Sequence, residues 1–137
     1  MQTPEVDAVA TVEILVTETD LASVLLYDAA DRFPAVFSTS RMIALMEVAA
    51  SRVLRPYLEG DELSVGVTVE ILHTAATPVG ARVTATARYV GQEGKLYLFE
   101  VMAADDAGEV GRGTHKRAVV STSRLVAGAE KRRTVTS

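Results

Sequence analysis

Glu47 is a carboxylate in the middle of an apolar segment, "IALMEVAA" at residues 43–50. If this segment is helical, the residues three and four positions away are Ile43, Ala44, Ala50 and Ser51. None of them carries a positive charge that could pair with Glu47 on the same helical face. A glutamate is almost never fully buried unless it is paired. Glu47 therefore faces a cleft, meets a partner from elsewhere in the fold, or is an ordinary exposed residue on a narrow polar stripe.

His73 is the second residue whose type and position could support chemistry. It continues the parity of the alternating apolar residues from Leu63 to Ile71 in "LSVGVTVEILH", so a strand would turn its side chain toward the same apolar face as theirs. A lone histidine on such a face is more often a satisfied core residue. However, an unpartnered acid and an inward imidazole from two elements that pack together can act as base or nucleophile near neutral pH.

Thr39 lies at the start of the predicted helix, eight residues before Glu47. Eight residues of helix span roughly 12 Å, so Thr39 cannot contact Glu47 on the same straight helix. Its hydroxyl either caps the helix or meets a substrate that extends along it. A third possibility is that it reaches the site of a second subunit.

The elements that must position these residues follow a simple order along the chain. Residues 6–17 are rich in β-branched residues and predict a strand, and the following segment up to Phe37 predicts a loop with one helical turn. The helix would be capped by Ser38 or Ser40 and ended by Pro56. Four strands then follow, divided by the turn signals "TPVG" (77–80), "GQEG" (91–94) and "DDAG" (105–108). This order predicts an α+β fold in which a five- to six-stranded antiparallel sheet wraps a long central helix.

Composition limits the class of protein further. With 137 residues, of which 48% are hydrophobic, we expect one domain over residues 1–125 and a polar, solvated tail over 126–137. The absence of cysteine excludes disulfides, thiol nucleophiles and cysteine-ligated metals. A net charge of -4 argues against a nucleic-acid surface. No apolar run is long enough for a membrane span and no secretory signal is visible, so we expect a soluble cytoplasmic protein.

Three segments resemble the hot-dog-fold thioesterases of the fluoroacetyl-CoA thioesterase type. They are "FPAVFSTSRMIALMEVAASRVLRPYL", "GVTVEILHTAATPVG" and "EVGRGTHKRAVV", and they occur in the order typical of that family. The pieces "HTAATP" and "GTHxRAV" are the most specific. The resemblance implies a hot-dog fold that works as a homodimer with active sites at the subunit interface.

The resemblance also implies roles for individual residues. The catalytic trio would be Thr39, Glu47 and His73. The substrate-binding residues would be Phe33, which would cover the acyl pocket, Gly66, which would lie near the acyl group, and Arg117, which matches the arginine of "GTHxRAV". From the residues alone, Arg117 could instead be a buried structural residue, and we expect His115 to be structural.

Hydrolysis of an acyl-CoA thioester makes modest chemical demands on such a set. The leaving thiol has a pKa near ~8.5, so it departs as a thiolate with little help. Glu47 would attack directly or act as base on a water molecule, and His73 would orient or deprotonate that water. Thr39 would hydrogen-bond the carboxylate or the substrate, and backbone N–H groups near Gly66 would bind the oxyanion. Arg112, Lys116 and Arg117 are available for phosphates or are plain surface charge. Neither a metal nor a cofactor is expected.

Two other functions remain open at this stage. A hot-dog hydratase or dehydratase typically carries a histidine at the start of an "HFP"-like segment, where this chain has Arg32 in "RFPAVF". A non-catalytic acyl-CoA-binding module predicts that catalytic residues are replaced, whereas Thr39, Glu47 and His73 are all present. The sequence does not specify the acyl group. We therefore expect a general short-chain acyl-CoA thioesterase rather than an enzyme specific for fluoroacetyl-CoA.

Overall fold

The computed structural model of the protein describes residues 1–135. Two helices and five strands form the fold. In chain order they are β1 (Val9–Leu15), α1 (Thr39–Leu54), β2 (Glu62–His73), β3 (Arg82–Glu93), β4 (Leu96–Asp105), β5 (Gly108–Ser121) and α2 (Thr122–Val135). Single 3-10 turns lie at Glu18–Asp20, Ala22–Val24 and Arg55–Tyr57.

The five strands form one antiparallel sheet in the order β1-β3-β4-β5-β2. The β3–β4 hairpin turns at Gly94 and the β4–β5 connection at Gly108, both with positive φ angles (60° and 131°) that glycine adopts without strain. These turns fall where the turn signals predicted them. The α+β fold and the five-stranded antiparallel sheet confirm the sequence-based expectation, and β1 and β2 are the two edge strands.

Helix α1 packs across one face of the sheet. Its buried side chains are Met42, Met46, Ala49, Ala50, Val53 and Leu54, and they join the inward residues of β3, which are Val83, Ala85, Ala87 and Tyr89. Alanines on both elements leave space for the helix to lie close to the strands. The opposite face of the helix is less covered, since Val48 is 39% exposed.

The start of α1 is held by hydrogen bonds from several directions. The Ser38 hydroxyl accepts from the Arg41 amide at 3.1 Å, so Ser38 is the N-cap, as predicted. The Ser38 amide donates to the Asp20 carbonyl oxygen, and the Phe37 amide to the Thr77 carbonyl oxygen. Thr39 is therefore the first helical residue, and its hydroxyl is not needed for capping.

A β-bulge in β2 reverses the side-chain alternation that the sequence suggested. Gly66 pairs with Arg117 and Thr68 with Lys116, so Val67 is the extra residue. After the bulge Val69 and His73 pair with inward-facing residues of β5, as predicted. Before the bulge the even-numbered residues share the inner face. The prediction that Leu63 and Val65 lie on the apolar face together with His73 was therefore wrong.

The C-terminal segment that we expected to be a solvated tail forms helix α2 over the part that the structure describes. Its side chains are exposed through residue 133. Residues 136–137 of the expected tail lie outside the described residues, and the domain boundary at 125 stays a prediction. Within residues 1–135, the helices are too short or too polar to cross a membrane.

Gly113 offers a test of how closely β5 and β2 approach each other. A Cβ atom at this position would lie 1.9 Å from the Glu70 carbonyl oxygen, and a backbone atom cannot give way cheaply. We expect Gly113→Ala to lower the free energy of unfolding by about 1–3 kcal/mol or more, as overpacking does. Urea unfolding monitored by circular dichroism measures this change.

Gly128→Ala is the matched control, since Gly128 lies in the exposed helix α2 and a Cβ there meets nothing within 4 Å. Alanine should stabilise that helix by up to about 1 kcal/mol. Equal stability of the two variants would contradict the close strand approach.

Candidate active site

Thr39 and His73 form a hydrogen-bonded pair between the start of α1 and the end of β2. The Thr39 Oγ1 and His73 Nδ1 atoms are 2.8 Å apart. Phe37 packs its ring edge-on against the imidazole, with 6.5 Å between ring centroids and an angle of 80° between the planes. The pair is therefore positioned by the N-cap region on one side and by the last residue of β2 on the other.

The other ring nitrogen of His73 is buried and has no partner. Among the described residues, Nε2 of His73 forms no hydrogen bond although solvent does not reach it. Buried polar atoms are almost always paired, so an orphaned imidazole nitrogen needs an explanation. Next to it lies an open pocket of about 410 Å³ whose lining includes Phe33, Pro34, Phe37, Thr39, His73 and Thr74. Because solvent does not reach Nε2 in the single chain, a substrate in this pocket would supply the missing partner once side chains of the lining have moved.

Glu47 meets a partner from elsewhere in the fold. The Arg117 Nη1 atom on β5 lies 3.1 Å from Glu47 Oε2. The Arg117 side chain is only 7% exposed, whereas that of Glu47 is 40% exposed. Glu47 is therefore paired with a residue from elsewhere in the fold, which is one of the alternatives that the sequence left open, and its side chain is only partly buried in the single chain. Its carboxylate bridges the buried guanidinium and the solvent.

Gly66 lies directly against this carboxylate. A Cβ atom at position 66 would be 3.0 Å from Glu47 Oε2 and 3.3 Å from Cε1 of His115. The absence of a side chain thus leaves the strand free to approach the acid. This close approach depends on the bulge at Val67, which turns position 66 toward the helix.

The six residues that the sequence singled out fall into two groups. The Thr39 half-site contains Phe33, Thr39 and His73, and the Glu47 half-site contains Glu47, Gly66 and Arg117. Within the described chain no hydrogen bond or ion pair joins the two groups. Glu47 and His73, which we considered as one acid–imidazole pair, therefore belong to different half-sites in the single chain. Thr39, the partner of His73, lies eight residues before Glu47 on α1, a separation of roughly 12 Å along the helix.

Four contacts in the Glu47 half-site were missed by the sequence analysis. Ser64 accepts from Arg117 with its hydroxyl at 2.9 Å and its carbonyl oxygen at 3.0 Å. His115 Nε2 lies 3.0 Å from Arg117 Nη1, and its Nδ1 lies 2.8 Å from the Thr68 carbonyl oxygen. The shared parity of His115 and Arg117 on β5 was the one available signal. Ser64 could not be found because the bulge hides its inward orientation.

The other two basic residues of β5 are engaged away from this half-site. Arg112 forms two hydrogen bonds with the Glu109 carboxylate, at 2.8 and 2.7 Å. Lys116 Nζ lies 3.1 Å from Glu93 Oε2. Their alternation with His115 and Arg117 places them on the outer face of the sheet, so they do not join Arg117 in one cationic cluster.

Comparison with known proteins places this geometry in a family. The model of the fluoroacetyl-CoA-specific thioesterase family, FlK, matches residues 16–123. The chain is 48% identical over 88 residues to a fluoroacetyl-CoA thioesterase from Streptantibioticus cattleyicolor. That alignment covers 64% of this chain and 63% of the relative, so the match spans less than two thirds of the curated relative's length.

Solved structures agree with this assignment along nearly the whole chain. The structure of the fluoroacetyl-CoA thioesterase FlK has a TM-score of 0.89 and 36% identity, covering 95% of this chain and 98% of that one. A hot-dog-like protein from Thermanaerovibrio acidaminovorans has a TM-score of 0.80 and 28% identity, covering 93% and 91%. The expected hot-dog fold is confirmed.

The buried ring of His115 predicts a pH dependence of stability. Burial lowers the pKa of His115 below its ordinary value of 6.5, and the Arg117 charge acts in the same direction. As the pH falls, the unfolded chain therefore binds a proton at this residue before the folded chain does. The stability contribution of neutral His115 is complete above 6.5 and is lost as the pH falls through 6.5 toward the lower folded pKa.

Urea unfolding of wild type and His115→Gln across that range checks this expectation. The carboxylates common to both proteins cancel in the difference between the two stabilities. We expect this difference to shrink as the pH is lowered. A difference that stays constant with pH would contradict the lowered pKa.

Proposed function

This chain belongs to the fluoroacetyl-CoA-specific thioesterase family, and we propose that it hydrolyses short-chain acyl-CoA thioesters to a carboxylate and free coenzyme A. The observation that carries the proposal is the Thr39–His73 pair, whose buried Nε2 lacks a partner beside an open pocket. An imidazole with one nitrogen anchored and the other free is arranged to orient a reacting molecule.

The Glu47 half-site supplies the attacking group in this proposal. Arg117 contacts Oε2 of the carboxylate, and among the described residues Oε1 accepts no hydrogen bond. Oε1 is therefore available to attack the thioester carbonyl carbon or to take a proton from a water molecule that does so. Direct attack gives a mixed anhydride that water then hydrolyses. In the alternative, water adds to the carbonyl carbon and the thiolate is then eliminated, which gives the carboxylic acid without a covalent intermediate on the protein.

The remaining steps need no group beyond those of the two half-sites. The new C–O bond forms first and leaves the negative charge on the former carbonyl oxygen; the oxyanion then collapses, the C–S bond breaks, and the thiolate leaves and takes up a proton to become free coenzyme A. Backbone N–H groups near Gly66 would stabilise the oxyanion, and one such donor is worth ~3 kcal/mol. Since the thiol pKa is near ~8.5, the leaving group needs little acid catalysis.

The solved relatives support a short acyl group. Variants of FlK have been crystallised with fluoroacetate and coenzyme A, and with acetyl-CoA. In this chain Phe33 lies in the lining of the His73 pocket and is 51% exposed, so we propose that its ring covers the acyl group. The volume of this pocket, about 410 Å³, lies toward the lower end of the range of ligand pockets, which suits a small acyl group better than a long one.

We further propose that the protein is a homodimer. Within residues 1–135 no strand pairs with the outer edge of β2, a 12-residue strand. Four large apolar residues on β2 are exposed, namely Leu63 (55%), Val67 (51%), Val69 (39%) and Leu72 (66%). A long apolar edge strand invites pairing with another chain, and a second copy would satisfy it.

The dimer would also complete the active site. Thr39 and Glu47 lie eight residues apart on α1, a separation of roughly 12 Å along the axis. A two-fold axis beside β2 and α1 can bring the Thr39 half-site of one protomer to the Glu47 half-site of its partner. Each dimer would then contain two equivalent composite sites.

The proposed activity is tested by release of free thiol from acyl-CoAs of increasing chain length, including fluoroacetyl-CoA. We expect turnover of short acyl groups, and we expect Glu47→Gln and His73→Ala each to lower kcat by roughly 10²–10⁴, as loss of a catalytic acid or base does. Circular dichroism establishes that both variants remain folded.

Glu5→Gln is the matched control, because Glu5 is an exposed carboxylate remote from both half-sites in sequence. It should behave as wild type. Saturable acyl-CoA binding without turnover by the wild-type protein would indicate a binding module instead, and full activity of Glu47→Gln would exclude the proposed role of Glu47.

The composite site is tested by mixed dimers. Co-expression of Glu47→Gln chains and His73→Ala chains with two different affinity tags allows the mixed dimer to be purified. If the half-sites join across the interface, one of its two sites is intact, so we expect roughly half of the wild-type kcat per dimer. Each variant alone should remain inactive.

If both half-sites of one chain served the same site, the mixed dimer would be as inactive as its parents. Light scattering coupled to gel filtration provides the accompanying measurement of mass. The mass of a single chain would contradict the dimer itself.

A further inference from the structure

His115 is a buried histidine that neither half-site uses for contact with substrate. Its side chain on β5 is 1% exposed, and it lies between the bulge of β2 and the guanidinium of Arg117. A buried imidazole that was needed only for packing could be replaced by an apolar ring. Here both ring nitrogens form short hydrogen bonds, which indicates a more specific role.

The hydrogen-bond partners determine the protonation state of the ring. A carbonyl oxygen only accepts, so the 2.8 Å contact with Thr68 requires that Nδ1 carries a hydrogen. Arg117 only donates, so the 3.0 Å contact with its Nη1 requires that Nε2 has a free lone pair. His115 is therefore neutral, with its hydrogen on Nδ1. Protonation would place an N–H group against an N–H group.

The Arg117 guanidinium is held by four contacts. Its Nε and Nη2 atoms donate to the hydroxyl and carbonyl oxygens of Ser64. The two hydrogens of Nη1 are divided between Glu47 Oε2 and His115 Nε2. Without the acceptor on His115, the second Nη1 hydrogen would be buried and unsatisfied. A rotation of the guanidinium away from Glu47 would then become more favourable, because it could give that hydrogen another acceptor.

The His115 ring also contacts the bulge of β2 and holds it in place. Val69 is the β2 residue that pairs with His115, and the Thr68 carbonyl that accepts from Nδ1 directly follows the bulged residue Val67. Cε1 of His115 lies beneath Gly66, where a Cβ would approach it to 3.3 Å. One imidazole thus contacts both the strand segment and the cation that border the Glu47 carboxylate.

We propose that His115 is a positioning residue for the reaction, which in its neutral form holds Arg117 against Oε2 of Glu47 and holds the bulge that presents Gly66. This role rests on the proposed thioesterase function. With Oε2 engaged by a fixed guanidinium, Oε1 is directed consistently toward the substrate. The titratable and charged groups that face the ring are Arg117 from its own strand and Glu47 from α1.

Two replacements separate the two contacts of His115. In His115→Asn the side-chain amide can donate from the position of Nδ1 and keep the bulge contact, but nothing accepts from Arg117. In His115→Gln the side-chain oxygen can accept near the position of Nε2 and keep Arg117 in place, but the donor to Thr68 is lost. Thr114→Ala is the control, since Thr114 is exposed on the opposite face of β5.

We expect His115→Asn to lower kcat by roughly 10- to 100-fold with little change in KM, the size typical of groups that orient a reacting residue. His115→Gln should lower kcat less than His115→Asn does, because Arg117 keeps its acceptor and only the contact with the bulge is lost. The acidic limb of the kcat profile should shift to lower pH in His115→Gln, because no imidazole is left to be protonated. Wild-type kcat in His115→Asn, or an unshifted acidic limb in His115→Gln, would overturn the proposal.

An NMR measurement decides the hydrogen-bond arrangement without any substrate. Selective ¹⁵N labelling of histidine gives the nitrogen signals of two imidazole rings, since the chain has two histidines. The spectrum of His73→Ala, which lacks one of them, assigns the remaining signals to His115. We expect the His115 ring at pH 7.5 to be the neutral form with hydrogen on Nδ1. A hydrogen on Nε2 would overturn the proposal even if the enzyme is active, whereas failure of the thioesterase proposal would show as absent wild-type turnover with this spectrum unchanged.

Discussion

The contact between Arg117 and Glu47 is the interaction on which the rest of the site depends. It joins the middle of the central helix to the inner face of the sheet, and it places a buried cation next to a half-exposed carboxylate. A buried guanidinium is tolerated only when its donors are satisfied. Ser64, Glu47 and His115 supply acceptors for four of these donors, so the side chains that surround Glu47 are constrained by the hydrogen bonds of Arg117 as well as by the catalysis that we propose.

The fold itself could be predicted well from the sequence because its signals are local. The cap at Ser38, the stop before Pro56 and the glycine turns at Gly94 and Gly108 act within a few residues, and each appears where expected. Such features need no knowledge of which strands become neighbours.

The inner face of β2 could not be predicted because the bulge depends on a long-range pairing. An unbroken alternation from Leu63 to His73 suggests one apolar face, yet the pairing with β5 inserts Val67 and exchanges the faces. Gly66 and Ser64 turn inward as a result, and both contact or border the Arg117–Glu47 pair. The residue types for the site were therefore visible in the sequence, while the contact that assembles half of it was not.

The division into two half-sites follows from the geometry of one straight helix. Thr39 and Glu47 are separated by eight residues, which amounts to roughly 12 Å of rise and, at about 100° per residue, a rotation about 80° beyond two full turns. The two side chains therefore differ in both height and direction. No rotamer change can bring them together, because staggered side chains reach only a few bonds from the helix.

A second copy related by a two-fold axis removes this constraint without altering the helix. In the dimer that we propose, a contact between Thr39 of one protomer and the Glu47 region of its partner is repeated on the other side of the axis, because such an interface is isologous. The distance between Thr39 and Glu47 on one helix, which prevents a complete site within one chain, then becomes the distance between the two equivalent sites of the dimer. Under that arrangement the exposed half of Glu47 and the orphaned nitrogen of His73 have a common explanation, since each is a part of the site that awaits the other chain and its substrate.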